Sequence, residues 1–132
     1  MKFQPEDFGS AITGYGPGWV AVGGERIHHS LILDGVTGAR QDWQVSRFDA
    51  LDAACFERLA ASKPELVIFG SGATLRFPRP PWIRALVEAR IGLETMDTAA
   101  ACRTYNILAG EGRRVVAAIL VESDAGEADG LK

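Results

Sequence analysis

Histidine and cysteine are both scarce, with two of each in 132 residues. A disulfide-stapled scaffold needs more cysteines than that. Cys55 and Cys102 lie far apart in the chain, without the close pairing that structural zinc requires. Both fall in helical patterns, where buried free thiols are expected. His28 and His29 are adjacent and would point to opposite faces of a strand, so they cannot jointly hold a metal. No metal site and no cofactor are expected. A basic excess is also missing: 14 Lys and Arg stand against 17 Asp and Glu, for a net charge of −3. That argues against a nucleic-acid partner. No apolar run approaches the roughly 18 residues of a membrane span, so no membrane insertion is expected. Met1 to Asp7 carry Pro5, Glu6 and Asp7 where a secretory signal needs an apolar core. A bacterial-type protein of the cytoplasm is the expectation.

What remains is an ordinary globular composition, 47% apolar and 23% charged. The length suits one domain, read here as residues 1–121. Residues 122–132 are small and acidic and read as a flexible tail. The unusual feature is 15 glycines. They cluster at 14–24, at 35–38 and at 70–72, where they could shape turns or cradle a phosphate.

The first third is strand-like. Gly18 to Val22 and Arg26 to Leu33 read as two strands around Gly23-Gly24, a pair suited to a hairpin turn. Gly35 and Gly38 bound a further turn, and Arg40 to Val45 reads as another strand. Phe48, Leu51, Cys55 and Leu59 then recur on a period of about 3.6 residues, which predicts a helix over 49–62. Asp49 and Asp52 sit in its first turn. Leu66 to Phe69 is a continuous apolar run, as in a strand buried on both faces. Prolines 80 and 81 open a second helix, and Leu93 to Met96 is a short strand. Asp97 or Thr98 caps a third helix ending near Ala109. Arg114 to Val121 is the last strand. The second half is therefore β-α-β-α-β with parallel strands, and the whole is an α/β or α+β fold on a mixed sheet.

Two glycine clusters are candidate sites. Gly14 to Gly18 leads into a strand, the reverse of a phosphate fingerprint, and reads as turn chemistry. Gly70-Ser71-Gly72 follows a buried strand, yet Phe77-Pro78-Arg79 separates it from the next helix, which is unlike pyrophosphate binding. Loops at the carboxyl ends of parallel strands gather on one edge of a sheet. The loops after Phe69 and Met96 should therefore meet, bringing Gly70, Ser71, Gly72, Thr74 and Arg76 towards Asp97 and Thr98. Arg76 and a helix start could hold an anion there. Equally, Arg76 could pair with a carboxylate and Thr98 could only cap. On the third helix, Arg103 shares a stripe with apolar residues and should pair, with Glu94 or Glu111, or face an interface. Tyr105 and Asn106 are further interaction candidates, and Trp43 and Trp82 fit either an interface or the core. No catalytic residues are assigned.

The stretch Pro64-Glu65-Leu66-Val67-Ile68-Phe69-Gly70-Ser71-Gly72 resembles a segment of a widespread Mth-type domain-of-unknown-function family. So do Glu94 to Thr98, Ala101-Cys102-Arg103-Thr104-Tyr105-Asn106 and Glu111-Gly112-Arg113. Ser71 stands where that family usually has threonine. The resemblance runs from about Phe8 to Glu122. It implies a three-layer α/β fold, no established reaction, and in one branch a mitochondrial complex I assembly role through protein contacts. The region after Asp34-Gly35 departs from that branch. Two expectations follow. The first is a non-catalytic interaction or assembly-type factor with a protein partner, itself a monomer or homodimer. The alternative is a small-molecule or anion-binding protein, conceivably an enzyme, using the loops after Phe69 and Met96.

Overall fold

In the computed structural model, which describes residues 11–122, the fold is three-layered. Strands β1 (Ile12–Gly16), β2 (Trp19–Val22) and β3 (Glu25–Ile27) form a small antiparallel sheet. Strands β4 (Leu31–Asp34), β5 (Arg40–Asp42), β6 (Leu66–Gly70), β7 (Gly92–Met96) and β8 (Val115–Ile119) form a larger one, in the order β5-β4-β8-β6-β7. β6 is parallel to both neighbours, and β4 is antiparallel to β8. The mixed sheet expected from the sequence is thus present.

Side-chain alternation divides the interior. Val67, Phe69, Val116, Ala118 and Leu120 face one side, against Trp43, Phe56, Leu59, Trp82 and Leu86. Helices α1 (Ala53–Glu57) and α2 (Arg84–Glu88) supply Phe56 and Leu86 to this layer. Ile68, Val115, Ala117 and Ile119 face the other side, against Ala101, Cys102 and Tyr105 of α3 (Thr98–Gly110). Ile12, Val20, Val22 and Ile27 of the small sheet complete that second core. The apolar run in β6 is buried on both faces, as a central parallel strand requires.

The first half departs from the sequence reading in three places. The run 26–33 is two strands in different sheets, parted at His28–Ser30. Ser30 takes up the break: its Oγ accepts the Val121 N–H at 2.8 Å and its carbonyl accepts the Trp43 N–H at 3.0 Å. The two histidines therefore lie in a connection, not on opposite faces of a strand. Secondly, Gly14 and Gly16 lie within β1, and only Pro17-Gly18 turns. Gly16 makes room for the Trp19 ring across the hairpin; a Cβ there would fall 2.5 Å from Trp19 Nε1. Thirdly, the helix expected over 49–62 is short and broken. Asp52 starts α1 by accepting the Cys55 N–H at 3.1 Å, and single 3-10 turns flank it at Phe48–Ala50 and Arg58–Ala60. An aspartate that bonds the local backbone competes with helix continuation. The Gly23-Gly24 turn is as expected, with φ of +58° and +90°.

Candidate functional site

β6 and β7 run parallel and adjacent, so the loops at their carboxyl ends meet. One loop is Ser71 to Arg79; the other is Asp97, which opens α3. Asp97 is the cap: its carboxylate accepts the Ala100 N–H at 2.8 Å. Thr98 is the first helical residue, and it stitches three chain segments together. Its N–H donates to Gly72 O at 2.8 Å, and its Oγ1 accepts the Gly72 N–H at 2.9 Å. The same Oγ1 donates to Leu120 O at 2.9 Å, beyond the end of β8.

Gly70 explains itself by packing. A Cβ there would sit 2.9 Å from Ala101 Cβ and 3.2 Å from Thr98 Cα. The glycine lets α3 press onto the end of β6. Gly72 is different: its φ of +102° lies in the left-handed region.

Ser71 is fully buried and organises the loop. Its Oγ donates to Thr74 O at 2.8 Å and accepts the Arg76 N–H at 2.9 Å. Arg76 folds back over this turn. Its guanidinium donates to Ser71 O through Nε and Nη2, at 3.2 and 2.6 Å, and to Glu122 Oε1 at 2.5 Å. It also covers the Phe48 ring, 4.7 Å from the centroid. Glu122 Oε2 accepts the Phe48 N–H at 2.8 Å. The residues singled out from sequence therefore do come together, but their polar groups largely satisfy one another. Arg76 is committed to a carboxylate, which removes it as a free anion-binding group. That carboxylate belongs to the residue at which the sequence reading began the tail. Residues 123–132, the rest of that reading, lie outside the described residues.

The second group, on α3, has other roles. Arg103 is exposed, and its Nη1 donates to the Tyr15 hydroxyl at 2.8 Å. That pairing replaces Glu94 and Glu111, expected from sequence. Tyr105 is fully buried in the core, so its ring is not available to a partner. Trp43 and Trp82 are buried as well. Asn106 accepts the Ile12 N–H at 2.9 Å and donates to Ile12 O at 2.6 Å. It acts as a one-residue substitute for a neighbouring strand.

Beside this junction is a cleft of about 450 Å³. Gly72, Ala73, Thr98 and Ala99 form one wall, the Tyr15–Trp19 turn the other, and Leu120–Glu122 the floor. Sequence reasoning missed the Tyr15–Trp19 wall because it placed no strand before Pro17. Glu122 had one available signal, an acid directly after the last apolar strand and close to the loop carrying Arg76.

Neither thiol is activated. Burial pushes the Cys102 thiol up to about 12, and Cys55 is raised as well, again chiefly by burial. No helix among the described residues is long and apolar enough to cross a membrane.

Residues 12–120 match the family described as a protein of unknown function, DUF498/DUF598. The chain belongs to that family. A Rhodobacter capsulatus protein called uncharacterised is 37% identical over 110 residues, spanning 83% of this chain and 82% of its own. The solution structure of a Bordetella pertussis Mth938-like domain superposes with a TM-score of 0.80 at 27% identity, covering 98% of this chain and 96% of that one. A Bos taurus NADH dehydrogenase 1 alpha subcomplex assembly factor 3 is 29% identical over 111 residues, covering 83% of this chain but 59% of the bovine one. The resemblance read from the sequence is therefore correct.

Proposed function

We propose that the protein is a non-catalytic interaction factor of the assembly type. The observation that carries this reading is its similarity to the bovine assembly factor along nearly all of the described fold. The loop junction supports it. Ser71, Arg76 and Thr98 spend their hydrogen-bonding groups on holding β6, α3 and the segment after β8 together. Such a junction stiffens one edge of the sheet, which suits a scaffold presenting a fixed surface. Gentle affinity purification of the full chain from its native host tests the reading. A partner recovered in constant stoichiometry is expected. Repeated recovery of the chain alone would overturn it.

The cleft favours a second reading, binding of a small molecule between the Tyr15–Trp19 turn and the start of α3. Its volume is in the range of ligand pockets, roughly 300–1,000 Å³. The Arg76–Glu122 pair argues against a simple anion as the ligand. Thermal-shift screening of metabolites tests this reading: stabilisation that Ala73→Phe abolishes supports it, and stabilisation unchanged in that variant counts against it.

A further inference from the structure

The loop from Ala73 to Pro81 is well fastened but carries side chains that its own domain does not cover. Leu75 is 52% exposed and Phe77 is 69% exposed. They flank Arg76, which is turned inward onto Ser71 O and Glu122. Exposure of this kind is ordinary for one isolated apolar residue. A pair flanking an anchored arginine, on a loop held by five hydrogen bonds of the Ser71 and Arg76 side chains, is a presented pair.

The stretch of chain that carries the pair is one-sided in charge. The chain as a whole has net charge −3, yet no acid occurs between Glu65 and Glu88, while Arg76, Arg79 and Arg84 do. Arg76 is neutralised by Glu122. Arg79 and Arg84 are exposed and have no carboxylate partner among the described residues. Arg79 is held in place by stacking on Trp82, 5.2 Å from the ring centroid. The segment from Leu75 to Arg84 thus carries an aromatic anchor, a second apolar side chain and two exposed guanidiniums without a described carboxylate partner, in a protein of net negative charge. Interface centres favour such residues.

We infer that the Leu75–Phe77 loop is the docking surface for a protein partner, which offers an apolar pocket to Phe77 and an acid-rich rim to Arg79 and Arg84. This rests on the interaction-factor reading above and names its surface. The rigid anchoring favours a protein over a lipid surface, because a fixed geometry matters only to a partner with a matching shape. The complementary charge sets both orientation and encounter rate.

A photo-reactive benzoylphenylalanine placed at position 77 of the full chain, in the native host, tests it, with position 107 as an exposed control. A discrete adduct from position 77 is expected, mapping by mass spectrometry to an acid-rich segment of another protein. Its yield should fall about tenfold in Arg79→Glu/Arg84→Glu and at high salt, as rim charges require. Matched thermal unfolding of each variant shows that the fold is retained. A lipid adduct, an adduct to residues 123–132, or a partner segment without acids overturns the inference. If a partner co-purifies but crosslinks from position 107 alone, or is retained undiminished by Phe77→Ser, this surface is wrong and the interaction reading stands. If no partner co-purifies and neither position gives an adduct, both fail.

Discussion

The carboxamide of Asn106 closes both backbone hydrogen bonds of Ile12, 94 residues away. An amide side chain has the same donor and acceptor as a peptide group, so it can pair with a strand as another strand would. The partner here is β1, an edge of the small sheet. The bond ties that sheet to α3, and α3 to the large sheet through the shared core.

Asn106→Leu should therefore cost more than a surface substitution on a helix. It leaves the N–H and C=O of Ile12 without partners in a part-buried place, at about 1–3 kcal/mol. Chemical denaturation of the purified variant measures this. Asn106→Asp should also destabilise: it keeps the acceptor for the Ile12 N–H, but its second oxygen faces the Ile12 carbonyl, and neither can donate. Equal stability of all three proteins would show that the clamp contributes nothing.

Gly70 and Gly14 make a paired test of what the glycines are for. Gly70→Ala drives a methyl against Ala101 and the Thr98 backbone, and overpacking of this kind costs about 1–3 kcal/mol. Gly14→Ala meets nothing closer than 3.6 Å, an ordinary contact with the Trp19 ring. It should be close to neutral, since alanine is also the less flexible residue when unfolded. Thermal melts of both variants decide the matter. A Gly70→Ala protein as stable as the parent would mean that α3 is not pressed onto β6 as described.

These two sites also mark what was readable in the chain. The β-α-β-α-β half was legible because each element carries its own signal: an apolar run in β6, a cap at Asp97, a periodic helix behind it. The parallel pairing then follows from chain order, and with it the meeting of Gly72 and Thr98. The first half was legible only in part: the hairpin at Gly23-Gly24 showed, but β3 and β4 form one continuous pattern over Arg26 to Leu33. What separates them is tertiary: Ile27 completes one core while Leu31 begins the larger sheet, and Ser30 bonds both Val121 and Trp43 between them. The site was half legible for a related reason. Residue type announced Arg76 as needing a partner, but the partner, Glu122, lies 46 positions away. Arg103 was similar: the need for a partner was readable, and its identity as Tyr15 depended on a strand that the glycines concealed.

The thiols should be unreactive while the protein is folded. Burial disfavours the thiolate at both positions, and most strongly at Cys102, with its pKa at about 12. The thiolate is the reactive form. At mildly alkaline pH a maleimide should modify Cys102 only at the rate of unfolding, and Cys55 slowly. Under denaturing conditions both should react fully. Fast labelling of Cys102 in the folded protein, followed by mass spectrometry, would contradict its place between α3 and the sheet.

Glu65 supplies the pH dependence. It precedes β6 and accepts from Arg113 Nε at 2.8 Å, and that hydrogen bond, with help from the Arg114 N–H, holds its carboxyl below the ordinary value of 4.5. A carboxylate whose pKa is lower when folded binds protons more readily when unfolded. Its stabilisation is thus complete above the ordinary carboxylate range and is lost as the pH falls through the depressed folded value. The pair is exposed, so the effect is small and salt-sensitive. Glu65→Gln should melt slightly lower than the parent at neutral pH, and the gap should close on acidification below the usual carboxylate pKa. Melting curves of the two proteins from neutral to strongly acidic pH, at low and high salt, check this. A gap that widens in acid would reverse the sign and show that the Glu65–Arg113 pair does not hold the proton off the carboxylate.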